Sequence, residues 1–143
     1  MNLFLEQLSS IAQYYPVLIK GIGITLALSV IGVLAGSLIG FLMGVGRASG
    51  NKFLAFIIGA YTDIFRGTPV LVQVFVVFFI LPEAGIELDS FTAGALALVN
   101  INACFISEIV ASGIQAVPRG QIEAAASSGL TRFQQMRLIV LPQ

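Results

Sequence analysis

The chain has 143 residues, of which 57% are hydrophobic and 10% are charged, and its mean hydropathy is +0.99. Soluble domains carry about a quarter charged residues, so this composition indicates a membrane protein in a lipid bilayer. Seven basic residues balance seven acidic ones, and this neutrality argues against nucleic acid as a partner. The lack of histidine excludes Ser-His-Asp catalysis and imidazole metal sites, and we expect neither catalytic residues nor a metal site.

Three apolar segments follow one another along the chain. The residues from Gly21 to Gly46 carry no charge, and as a helix they would reach about 39 Å, more than the roughly 30 Å of a hydrocarbon core. A secretory signal peptide has a much shorter apolar core, so this segment is not one. We predict an all-α, polytopic membrane helix bundle with spans at about 18–46, 53–81 and 91–117, followed by a polar segment at about 118–142.

The basic residues predict the orientation of the chain. Arg47 and Lys52 follow the first span and three arginines follow the third, whereas the loop between the second and third spans is acidic and has no Lys or Arg. Because cytoplasmic loops are enriched in Lys and Arg, we predict that the N-terminus lies outside and that segment 118–142 is cytoplasmic. The predicted location is the cell (inner or plasma) membrane.

Four glycines in the first span recur at every fourth position, at Gly32, Gly36, Gly40 and Gly44. This spacing places them on one helix face and lets another helix backbone approach closely. The partner helix belongs either to the same chain, which we favour, or to a second copy across a dimer face.

Charged and helix-breaking residues interrupt the second span. Asp63 and Arg66 lie near the middle of the bilayer when residues are counted from Lys52, and an ionised side chain there costs a few kcal/mol or more. The Gly-Thr-Pro run at 67–69 suits a break in the helix. Charges beside a broken helix are typical of transport pathways, and the candidate pathway residues here are Asp63, Arg66, Thr68 and Pro69. The alternative is a self-neutralising Asp63–Arg66 pair, spaced i, i+3, that holds a kink.

The third span carries a second polar set, formed by Asn100, Asn102 and Glu108. These residues are either a polar stripe that faces the pathway or, for the asparagines, donors of hydrogen bonds between helices. Glu108 could equally form an ion pair with Arg66.

The most specific pattern is E-A-A-x3-G-x9-I-x-L-P, formed by Glu123, Ala124, Ala125, Gly129, Ile139, Leu141 and Pro142. We predict a short helix that begins after the run Pro118-Arg119-Gly120, carries Glu123 near its positive N-terminal end and stops at the glycine. Thr131 and Gln134 have the spacing of a capping box that would open a second helix over 132–141. The two helices would form a rigid cytoplasmic unit whose alanine face fits a groove on a partner. The alternative is a helix that lies on the membrane surface.

These patterns resemble a known family. The segment EAAASSGLTRFQQMRLIVLP is similar to the EAA loop of binding-protein-dependent ABC importer permeases. Residues 61–73, YTDIFRGTPVLVQ, and residues 20–28, KGIGITLAL, resemble segments of the polar amino-acid branch of that family. The resemblance implies a bundle with a cytoplasmic coupling helix and three of the usual five spans, and hence a chain truncated at its C-terminus, after Gln143.

The resemblance also implies a function: a transmembrane subunit of an ATP-driven importer for amino acids, which forms the pathway and couples to an ATPase. The implied partners are a cytoplasmic ABC ATPase dimer, a second permease subunit (the same or related) and an extracytoplasmic amino-acid-binding protein. The chain would not be an enzyme and would need no cofactor, because it lacks a Walker motif and ATP would be bound by the partner.

The resemblance assigns roles to particular residues. Asp63 matches an acidic position near the substrate cavity, and the coupling-loop matches are Glu123, Ala124, Ala125 and Gly129. The alternative function is that of a truncated, non-transporting membrane interaction protein that retains the coupling loop.

Overall fold

The computed structural model describes residues 2–143, with side chains described from Tyr14 onward. These residues are mostly helical and contain no β-strand, which confirms the predicted all-α fold class. The helices are α1 (Asn2–Arg47), α2 (Lys52–Arg66), α3 (Val70–Phe75), α4 (Leu81–Glu83), α5 (Ser90–Ala116), α6 (Arg119–Ser127) and α7 (Arg132–Gln135). Two π-helical segments, Val76–Ile80 and Met136–Val140, continue α3 and α7.

Two helices are long and apolar enough to cross a membrane, namely α1 over Tyr14–Arg47 and α5 over Ser90–Ala116. A third span results if α2 and the segment Val70–Glu83 are taken together, although the two are bent by 100° at a short break. The helix α1 begins well before the predicted start of the first span at 18, because neither Pro16 nor Lys20 interrupts it.

The long helices α1 and α5 pack through the glycine face of α1. A Cβ atom added at Gly40 would lie 2.6 Å from the carbonyl oxygen of Ala103, and one added at Gly44 would lie 2.6 Å from Cβ of Val110. Gly32 and Gly36 likewise contact α5. Residue numbers rise together along this contact, so the two helices run parallel. The glycine face therefore packs within the chain, as favoured from the sequence.

Side-chain caps fix where α2 and α5 begin. The carboxamide of Asn51 accepts hydrogen bonds from the backbone N–H groups of Phe53 and Leu54. Asp89 accepts from the hydroxyl of Thr92 and from the N–H groups of Phe91 and Thr92. The hydrogen bond from the Thr92 hydroxyl has the largest effect, and together these bonds lower the pKa of the Asp89 carboxyl below its usual value.

The last part of the chain forms a two-helix unit, residues 118–142. Gly129 has φ +81°, and its N–H and that of Leu130 bond to the carbonyls of Ala126 and Ala125, which is a Schellman motif at the end of α6. Thr131 and Gln134 form the predicted capping box. The second helix was predicted over 132–141; it is α-helical only over Arg132–Gln135 and continues as a π-helical segment to Val140.

One prediction about this unit is wrong. The helix α6 was predicted to begin after Gly120 but begins at Arg119, so Glu123 lies in its second turn, and the first turn contains no acidic residue. The helix dipole acts within the first turn, so it gives Glu123 little stabilisation.

Candidate functional site

Charged side chains from three helices form one cluster, in which two arginines contact the same carboxylate oxygen of Glu108. Nη1 of Arg47, at the end of α1, lies 2.5 Å from Oε2 of Glu108 on α5, and Nη1 of Arg66, at the end of α2, lies 2.9 Å from the same atom. The side chains are 22–32% exposed, so all three are partly buried. Arg66 also lies over the Phe105 ring, 5.5 Å from its centroid. Glu108 is thus the hub of a charge cluster that ties α1, α2 and α5 together.

Asp63 lies at the edge of this cluster. Its Oδ1 is 4.0 Å from Nη1 of Arg66, and its side chain is 68% exposed. The i, i+3 pair that the sequence suggested is therefore long, and the principal partner of Arg66 is Glu108, as the alternative interpretation of Glu108 proposed.

The cluster lies near the end of α1, because Arg47 is the last residue of that helix and also contacts Thr62 of α2. From the sequence, Arg47 is predicted only as a basic residue of the loop after the first span. No local pattern links it to Glu108, which is 61 residues away along the chain.

The break between α2 and α3 lies where the Gly-Thr-Pro run predicts it. Thr68 donates its hydroxyl to the carbonyl of Ile64, and Pro69 is the N-cap of α3. The buried side chain of Gln73 donates from its amide to the carbonyl oxygens of Phe65 (2.9 Å) and Thr68 (3.0 Å). Gln73 is the last residue of the segment 61–73 that resembles the family, and it is not among the predicted site residues.

A chain of hydrogen bonds joins this break to α5. Nδ2 of Asn100 donates to Oε1 of Gln73 at 3.1 Å, and the hydroxyl of Tyr61 donates to Oδ1 of Asn100 at 2.5 Å. These three side chains line a cavity of about 460 Å³ beside the break, and the rest of its lining is apolar except for Thr68. Asn100 therefore faces a cavity together with the broken helix.

Asn102 points elsewhere. Its amide donates to the carbonyl of Gly32 on α1 at 3.1 Å. This contact matches the alternative proposed for the asparagines, a hydrogen bond between packed helices, and it separates Asn102 from the cavity beside the break.

The residues of the E-A-A pattern meet in the two-helix unit. Ala124, Ala125, Ile139 and Pro142 line a groove of about 490 Å³ between α6 and the segment that follows α7. Glu123 and Gly129 are exposed on the surface of the unit. Leu141 lines a second, neighbouring cavity of about 390 Å³ at the C-terminal end of α5. The structure thus brings most of the pattern onto one small surface.

Comparison with known proteins gives this arrangement a family context. Residues 36–143 match the family described as binding-protein-dependent transport system inner membrane component. A probable amino-acid ABC transporter permease of Bacillus subtilis, YckA, is 40% identical over 92% of this chain and 58% of its own length. A putative glutamine transport system permease of Rickettsia felis, GlnP, is 36% identical over 92% of this chain and 62% of its own length.

Solved structures show the same architecture. A crystal structure of an amino acid ABC transporter with histidines superposes with a TM-score of 0.83 at 36% identity, and covers 94% of this chain and 63% of that chain. An inward-facing structure of the methionine ABC transporter MetNI superposes with a TM-score of 0.74 at 27% identity, over 92% of this chain and 64% of that chain.

The chain spans about three-fifths of the length of the curated relatives it matches. The family match, in contrast, covers most of the chain and includes three of the four glycines of the glycine face, the charge cluster, the helix break and the two-helix unit. The chain therefore belongs to the family of binding-protein-dependent transport system inner membrane components.

Proposed function

We propose that this chain is a membrane-spanning subunit of an ATP-driven importer for amino acids. Its N-terminus would lie outside, and the two-helix unit would dock in the cytoplasm onto a partner ATPase that binds and hydrolyses ATP. A second permease subunit and an extracytoplasmic amino-acid-binding protein would complete the importer. The observation that carries the proposal is the two-helix unit, in which four residues of the E-A-A pattern line one groove and Gly129 makes the turn at the end of α6.

The connection between this unit and the bundle supports a mechanical role. Only Val117 and Pro118 separate the end of α5 from the start of α6, and Val117 is buried. A displacement of α6 would therefore reach α5 without a flexible loop to absorb it. Because α5 also carries Glu108 and Asn100, the same displacement would act on the charge cluster and on the break.

The pathway part of the proposal rests on the cavity beside the break and on the charges near it. Asp63 and Arg66 occupy the last turn of α2, directly before the break, and Thr68 and Asn100 line the cavity. In an importer, a substrate would pass this region, where polar and charged side chains stand beside the broken helix.

The direct test is substitution of Gly129 in the full-length permease, assembled with its ATPase. Gly129→Val should abolish uptake of labelled glutamine and arginine while the protein still inserts in the membrane. A β-branched residue is strained at φ +81° by roughly 1–2 kcal/mol, which would distort the turn that positions α6 against α7.

Two controls separate the turn from the surface. Gly129→Asn should keep much of the uptake, because asparagine tolerates the left-handed conformation. Gly120→Ala should be nearly neutral, because no atom lies within 4 Å of the added Cβ and its φ is ordinary. Full uptake by Gly129→Val would contradict the proposed coupling role.

A further inference from the structure

Gln73 is a buried side chain that bonds to two backbone carbonyls at the helix break. It is 5% exposed, and its amide nitrogen donates to the carbonyls of Phe65 and Thr68. In a continuous helix these two carbonyls would accept from the N–H groups of residues 69 and 72. Residue 69 is proline and has no N–H, and the N–H of Val72 bonds instead to the carbonyl of Pro69. The two donors of one side chain thus bond to both carbonyls; that of Phe65 also accepts from the N–H of Thr68 at 3.3 Å.

The orientation of this amide is determined by its surroundings. Because both hydrogens of Nε2 point to carbonyl oxygens, Oε1 must accept, and its partner is Nδ2 of Asn100 at 3.1 Å. Oδ1 of Asn100 must then accept in turn, and it receives the hydroxyl of Tyr61. The donors therefore run in one direction from Tyr61 on α2, through Asn100 on α5, to the break itself.

This chain of bonds returns to the helix on which it started. Tyr61 lies one turn before Phe65, whose carbonyl is the last acceptor. Asn100 of α5 bonds both to Tyr61 before the break and to Gln73 after it. A change in the angle between α2 and α3 would have to break at least one of these bonds. The angle of 100° is thus held by side chains and not only by the conformation of the Gly-Thr-Pro run.

We infer that Gln73 is a positioning residue that sets the geometry of the broken helix, and thereby the apparent affinity for the transported amino acid. The effect on apparent affinity rests on the proposed function. Gln73 acts through the residues that flank the break: Asp63 and Arg66 before it, and Tyr61 and Thr68 at the cavity. Gln73 also lines the cavity, but its amide hydrogens bond to backbone carbonyls and its Oε1 accepts from Asn100, so loss of its donors should act by loosening these positions.

The geometric half of the inference has a test that needs no transport. Spin labels at Phe56 on α2 and Phe79 beyond the break, both exposed, report the distance between the two arms in a full-length protein made free of other cysteines. Gln73→Met has a similar length and no donors, and should shift or broaden the distance distribution. Val72→Met changes an exposed neighbour and is the matched control. An identical distribution for Gln73→Met and the unmodified protein would overturn the inference.

The functional half is tested by uptake kinetics in proteoliposomes that contain the full transporter, with labelled L-glutamine and L-arginine as probes. Gln73→Met should raise the apparent KM about fivefold or more, as expected for the loss of two or three hydrogen bonds between membrane helices, and should change the maximal rate less than about twofold. Val72→Met should change neither constant. A KM for Gln73→Met equal to that of the control would overturn the positioning role.

Asn100→Leu completes the experiment as one arm of a double-mutant cycle. If Asn100 acts through the orientation of Gln73, the double variant should have the KM of Gln73→Met alone, and strictly additive effects would contradict this. Failure of the unmodified protein to take up either probe would count against the proposed function alone, since the spin-label distances decide the role of Gln73 at the break independently.

Discussion

At the scale of single residues, Glu108 decides the electrostatics of the bundle. Its Oε2 is shared by two guanidinium groups, and its other oxygen is 3.4 Å from the hydroxyl of Ser112. A partly buried carboxylate between two arginines compensates charges that would otherwise repel each other at a helix interface. Removing it would affect three helices at once.

Glu108→Gln should therefore destabilise the full-length permease, by about 1–3 kcal/mol, because two arginines would remain facing a neutral amide. Thermal unfolding in detergent, followed by the loss of monodisperse protein, measures the effect as a lower Tm. Asp63→Asn is the matched control, since Asp63 is 68% exposed and only 4.0 Å from Arg66, and it should change the Tm little. Equal shifts for the two variants would show that the cluster does not stabilise the bundle.

The residues of the site were partly predictable from the sequence. Buried charges and a proline in an apolar segment are visible without a structure because each is costly in a membrane, and these properties singled out Arg66, Glu108 and the break. Arg47 and Gln73 were missed for a different reason. An arginine at the end of a span is ordinary there, and a single uncharged glutamine in an apolar segment costs less than a charge. Only the packing of the helices gives these two residues their partners.

At the scale of helices, the contact between α1 and α5 organises the bundle. Glycines bring the two backbones so close that Asn102 can reach the carbonyl of Gly32 across the interface. The same proximity holds α5 in the position at which Glu108 meets Arg47. A spacing of four residues was enough to predict that a helix packs on this face. It could not identify the parallel partner or the register of the contact, because these depend on residues far apart in the chain.

Gly40→Leu should force α1 and α5 apart and lower the stability of the permease by roughly 1–3 kcal/mol, as overpacking of a tight interface does. The reason is geometric, since even a Cβ atom at this position would lie 2.6 Å from the carbonyl oxygen of Ala103. Gly23→Leu on the same helix is the control, because nothing lies within 4 Å of its Cβ. Thermal unfolding in detergent compares the two, and a Gly40 variant as stable as the Gly23 variant would contradict this packing.

At the scale of the whole molecule, the structure joins three features that the sequence presents separately. The two-helix unit continues directly into α5, α5 packs along the glycines of α1, and its polar residues hold both the charge cluster and the break. The local turn chemistry of the unit, including its capping box and Gly129, could be read from the sequence because it depends on neighbouring residues. The 100° bend and the convergence on Glu108 depend on tertiary contacts and could not.

Docking of the two-helix unit to an ATPase is the central claim of the proposed function. The most direct measurement is affinity isolation of the full-length permease from its native membrane, with native mass spectrometry of the intact complex, for the unmodified protein and for Gly129→Val and Gly120→Ala. We predict that an ATPase subunit is retained by the unmodified protein and by Gly120→Ala, and lost or strongly reduced with Gly129→Val. A permease that is isolated without an ATPase, or one that retains it equally in all three forms, would contradict the account.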